Sequence, residues 1–177
     1  VLAGYGSGSH AAVRLSRLAG SECIDGTPQT ITQGTWSEVA SMPGPAQSEL
    51  DAATLDGKLY ALGGFGDTRG FKRYDSTSGQ WSVLTALPSG RHHLSAFAFD
   101  GGIYYAGGEP SGGGESGSSG YRYDPPTNTW EARPEMPFTF GSRAAVSNGR
   151  VLFGVESGDL YEYDPRQRIR PSLAKSG

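Results

Sequence analysis

Five polar side chains able to do recognition chemistry stand between apolar runs: Arg69, Arg91, His92, Glu109 and Arg143, with Phe65 and Phe138 as aromatic neighbours. Guanidiniums beside aromatic surface suit a ligand that carries a carboxylate, because a sheltered charge-assisted hydrogen bond contributes roughly 1.5–3 kcal/mol. The same residues assemble no reaction. No Ser, His, Asp or Cys, His set falls at a recognisable motif, and no acidic loop has calcium-binding spacing. His92 and His93 are adjacent, which on a strand sends the two side chains to opposite sides, and His10 is distant in sequence. Paired metal ligands are therefore not expected. Gly63-Gly64 and Gly107-Gly108 are not followed by Lys-Ser or Lys-Thr and open no helix, so they cradle no phosphate. Neither a cofactor nor a metal is expected.

The elements that position these residues are legible as a repeat. Trp36, Trp81 and Trp130 fall at intervals of 45 and 49 residues, and the runs ending in Gly63-Gly64 and Gly107-Gly108 are offset by 44. Tyr-Asp recurs at Tyr74, Tyr123 and Tyr163, and six residues separate Asp75 from Trp81 and Asp124 from Trp130. Each unit contains a small alternating first strand (residues 50–55, 94–99 and 143–147) and then a tight turn at Asp56-Gly57, Asp100-Gly101-Gly102 or Asn148-Gly149. A second strand ends at the glycine pair, a third carries Tyr-Asp and a fourth starts at Trp. Four antiparallel strands in about 45 residues make a propeller blade. The tryptophans and tyrosines recur where blades must pack on one another, so they are assigned to the core.

The motif set resembles the kelch repeat, and the resemblance covers about residues 36–165. It implies an all-β, kelch-type β-propeller of four-stranded antiparallel blades. Two blades are expected to be full, at residues 46–86 and 91–134, and two partial, at 1–41 and 142–173, the first with an insertion at 17–34 that holds Cys23. A helix over residues 9–19 is the lesser alternative for the start of the chain. At the other end Arg170 stands where the next Trp would fall. Propellers close with about four to eight blades, so the expected partners include the remaining blades of a longer chain, or a second copy of this one.

Loops from strand two to three (65–70, 109–120, 155–159) and from strand four to the next strand one (42–49, 87–93, 136–143) emerge on one face, which in kelch propellers that bind peptides makes the contacts. Arg91 and Arg143 are expected at equivalent places before a first strand, both aimed at the channel mouth. Each either meets a ligand or pairs with a neighbouring loop. The expected function is a non-catalytic scaffold binding a protein or peptide, or a glycan, on this loop face. The alternative is a sugar-processing propeller of the sialic acid mutarotase or epimerase kind, with Glu109 working beside Arg91 or Arg143. Copper-oxidase relatives need a Tyr-His dipeptide that is absent here.

Composition narrows the classes further. Twenty-eight glycines and 11 prolines in 177 residues exceed ordinary usage, yet 7 Phe, 9 Tyr and 3 Trp supply large groups to bury. A net charge of −3 without a long basic run argues against nucleic acid, and no apolar window reaches the length of a membrane span. A single cysteine forms no internal disulfide.

Overall fold

Hairpin turns set the architecture. In the computed structural model, which describes residues 12–15, 36–111, 117–137, 142–155 and 158–166, Asp56-Gly57, Asp100-Gly101 and Asn148-Gly149 all have positive φ at both positions. That is the two-residue turn whose twist matches a right-handed hairpin. At the second site the turn is two residues long, not three, because Gly102 already pairs with Phe99.

The strands in chain order are β1 (Ala12–Leu15), β2 (Trp36–Val39), β3 (Asp51–Leu55), β4 (Lys58–Leu62), β5 (Phe71–Asp75), β6 (Gln80–Val83), β7 (Arg91–His92), β8 (Ser95–Phe99), β9 (Gly102–Ala106), β10 (Glu109–Pro110), β11 (Gly120–Asp124), β12 (Thr129–Arg133), β13 (Ser142–Ser147), β14 (Arg150–Val155) and β15 (Leu160–Tyr163). Two four-stranded antiparallel sheets run β3-β4-β5-β6 and β8-β9-β11-β12, and a third sheet holds β13-β14-β15. β1 pairs with β2, so the start of the chain that is described is a strand and not a helix. Leu15 faces Trp36 there, in the register that sets Tyr74 against Trp81 and Tyr123 against Trp130. Leucine thus takes the tyrosine's place in the first unit, and residues 16–35 join the two strands.

Sheets meet through two apolar seams. Between the four-stranded sheets lie Tyr60, Leu62, Phe71, Leu87, Leu94, Ile103, Tyr105 and Tyr123. Phe97, Phe99, Tyr104, Met136, Val151 and Phe153 fill the next. Of the repeated aromatics, Tyr123 and Trp130 belong to the first seam and Tyr163 packs on the second. Tyr74 and Trp81 lie 5.2 Å apart at 49°, and Tyr123 and Trp130 repeat both values. Each indole N–H reaches the unit before its own: Trp81 donates to the Ala40 carbonyl at 2.8 Å and Trp130 to the Thr85 carbonyl at 3.0 Å. Both indoles are half-buried, as a group with an apolar body and a polar tip should be at a seam.

Tyr163 occupies the matching place in the third sheet, opposite Val151, as Tyr74 is opposite Leu59 and Tyr123 opposite Ile103. Burial pushes its phenol up to about 12 from an ordinary 10.0. The fold therefore disfavours the phenolate, and the unfolded chain ionises first. The stability that follows is full below about pH 10 and is lost as pH rises to about 12. Alkaline unfolding followed by circular dichroism should show a steep loss over that window, flattened in Tyr163→Phe.

The first strands β3, β8 and β13 lie side by side and wall a groove of about 530 Å³ that includes Asp51, Ala96, Phe97, Arg143 and Val146. Side chains tie these strands together: Asp51 Oδ2 accepts the Ala96 N–H at 2.9 Å, and Ser95 Oγ donates to the Ser142 carbonyl at 2.8 Å.

Candidate functional site

In the two full blades the loop corner forms because the chain leaves its second strand through a glycine pair in the left-handed region, where it nearly touches the segment entering a first strand. A Cβ on Gly64 would stand 2.6 Å from the Ser48 carbonyl oxygen, and one on Gly108 would stand 2.6 Å from that of His92. Only glycine permits this approach. Short backbone pairings result: Ser48 bridges Phe65, and β7 pairs with β10 so that His92 faces Glu109 and Pro110 faces Arg91. The loops from strand two to three and from strand four to one thus meet on a shared face.

At the seam between the full blades these pairings gather five side chains. The Phe65 ring, 44% exposed, stacks on His92 at 3.9 Å and 22°, and meets His93 edge-on at 5.8 Å. Nδ1 of His92 lies 2.7 Å from Nδ1 of His93 and 3.9 Å from Glu109 Oε2. Nε2 of His93 is in an ion-pair contact with Glu49 Oε2. The adjacency rule that sends neighbouring histidines apart fails here. β7 ends at His92, and His93 has φ 56°, which swings its ring back onto the same side. Glu49, at φ 54°, holds the corresponding place before β3.

Of the residues expected at the site, Phe65, His92 and Glu109 come together. Arg91 lies directly behind them. It is fully buried, with Nη1 donating to the Gly108 carbonyl at 3.4 Å and Nη2 to Ser119 Oγ. Its backbone also takes the Thr68 carbonyl at 2.8 Å and receives Gly64 N–H at 2.8 Å. The loop-pairing alternative therefore holds for Arg91, whose guanidinium faces inward. Arg69 is exposed on the same face, anchored by Nε to the Leu87 carbonyl at 2.8 Å. Arg143 is not equivalent to Arg91. Paired with Gly154, it matches Ser95 opposite Ala106 and Asp51 opposite Leu62, inside the first strand and on the groove. Its Nη1 donates to the Ser142 carbonyl at 2.9 Å. Phe138 lies outside the described residues.

Comparison with known proteins bears on this geometry. A Kelch motif model matches residues 90–137, the stretch that holds β7 to β12. An F-box/kelch-repeat protein of Arabidopsis thaliana is 30% identical over 141 residues, and Kelch-like protein 23 of Pongo abelii is 32% identical over 111. The chain is a kelch-repeat propeller. These matches cover 71% and 63% of the kelch chain but 37% and 19% of the relatives, so it spans well under half of their length. The fold likeness extends to the solved structure of YjhT, with a TM-score of 0.61 at 18% identity over 70% of this chain and 48% of that one.

Sequence reasoning missed Glu49, Gln47 and Lys72 in this kelch propeller. Lys72 is 3% exposed and bonds Gln47 Oε1 at 2.5 Å and Asp67 Oδ2 at 2.9 Å, while Gln47 Nε2 donates to the Gly63 carbonyl at 2.7 Å. Gln47 precedes β3 by the margin at which Arg91 precedes β8. That match of position was the available signal: a polar residue four places before β3 and before β8 braces the glycine-pair loop. No helix of the described residues is long and apolar enough to cross a membrane.

Proposed function

We propose that this chain is a binding scaffold of the kelch type that takes a protein or peptide segment on the loop face around Phe65, with Arg69 and Glu109 as polar contacts. The observation that carries the reading is the exposed Phe65 ring, stacked on His92 at the loop face. An aromatic anchor ringed by charged groups on braced loops is the composition of an interface hot spot. Kelch-like and F-box/kelch relatives are consistent with protein partners. Glu109 lies against His92, and the Kelch-like and F-box/kelch relatives favour the binding reading over a sugar-processing one.

Peptides selected on the immobilised full chain provide the test. Phe65→Ala and Arg69→Ala should each weaken the selected peptide about tenfold, or about 1.4 kcal/mol, with the thermal midpoint unchanged. Equal binding by both folded variants would remove this face from the function.

A further inference from the structure

We infer that Glu49, His92, His93 and Glu109 form a site for a divalent transition metal of the Zn²⁺ class, at the seam between the two full blades. The inference does not rest on the peptide reading. One ligand atom from each of Glu49, His92 and His93 lies within 4.8 Å of the others, and Glu109 brings a fourth to 3.9 Å from Nδ1 of His92. The two Nδ1 atoms face each other at 2.7 Å. Such a contact is favourable only while a single proton sits between two otherwise bare nitrogen lone pairs. A metal ion replaces that proton with a stronger acceptor of both lone pairs.

Tetrahedral ligands about 2.0–2.1 Å from Zn²⁺ stand about 3.3 Å apart, so the two Nδ1 atoms, at 2.7 Å, need to part by only about 0.6 Å. The half-buried His93 and the exposed Glu109 leave room for that shift. The ligand roles follow from the contacts. One nitrogen of each histidine and a Glu49 oxygen coordinate, and Glu109 supplies the fourth position from beside His92. Imidazole donors select Zn²⁺, Cu²⁺ or Ni²⁺ over Mg²⁺ and Ca²⁺. The stacked Phe65 ring shields one side of His92. Because Glu49 enters from the loop before β3 and the histidines from the loop before β8, a bound ion staples the two blades.

The test uses the full chain, stripped with chelator and titrated with ZnCl₂ by calorimetry, with Co²⁺ absorption as the readout of ligand geometry. One Zn²⁺ per chain is expected, with a rise in the thermal midpoint that chelator reverses. His92→Gln and His93→Asn should each weaken binding at least tenfold. Asparagine tolerates the left-handed backbone at position 93, so that variant keeps the test alive if position 92 does not accept glutamine. No 1:1 binding by the folded chain overturns the site. So does unchanged affinity in a folded His93→Asn.

Discussion

Phe71→Ala is expected to destabilise the chain by about 3–5 kcal/mol, the range for deleting a fully buried aromatic ring. Phe71 is 1% exposed at the first residue of β5 and belongs to one blade while packing largely on the next. It stacks on Tyr60 of its own sheet at 5.8 Å, but its closer partners are Tyr123 at 4.7 Å and Trp130 at 4.9 Å in the neighbouring sheet. Removing the ring opens a cavity at the seam and so weakens the coupling between units, the quantity that holds a repeat array together. The effect should exceed a simple shift of midpoint. In urea, loss of coupling lets the blades unfold separately, which lowers the apparent m as well as the midpoint. Val83→Ala is the matched control: 70% exposed on the outermost strand, it should move stability by no more than about 0.5 kcal/mol. A midpoint in Phe71→Ala within that margin would mean that the seam is not what stabilises the pair.

The strands were legible because their determinants are local. Asp-Gly and Asn-Gly turns, alternation over five residues, and Tyr and Trp brought opposite by a short turn need no knowledge of the rest of the chain. Four-stranded blades follow from those signals, and the kelch likeness from the recurrence of Gly-Gly, Tyr and Trp in register. The site was legible only in part, and the reason is visible in individual residues. Phe65, His92 and Glu109 sit on loops whose common face follows from topology. Arg91 was read as a candidate surface charge because it stands in a loop. Its burial is created by Gly108 and Ser119, 17 and 28 residues away, and by the preceding blade, which bonds its backbone. The β7 and β10 pairing spans two residues a side and leaves no alternation to detect. The histidine pair failed for a different reason. Opposite facing presumes extended backbone at both residues, and the φ of 56° at His93 is imposed by the entry into β8.

Arg91 therefore has a larger expected effect as a brace than as a ligand contact. Arg91→Ala should cost about 3–5 kcal/mol, since it leaves the Gly108 carbonyl and Ser119 Oγ without their donors at roughly 1–3 kcal/mol each and adds an internal void. Arg91→Lys should recover only part of this, because an ammonium on a flexible stem does not reproduce the planar fork that spans two acceptors. The pattern of loosening separates a brace from a general loss of stability. The backbone of Arg91 still accepts Gly64 N–H at 2.8 Å and donates to the Thr68 carbonyl in either variant. Exchange at the Gly64 amide should accordingly stay slow while amides from residue 109 to 120 exchange faster. In Arg91→Lys, peptide binding and Zn²⁺ binding should both weaken although Phe65, His92, His93 and Glu109 are intact, because Pro110 and Glu109 are aligned on Arg91 and His92 through the strand that Arg91 begins. Uniform acceleration of exchange at both places would instead assign Arg91 a purely global role and break the link between the buried cation and the loop face.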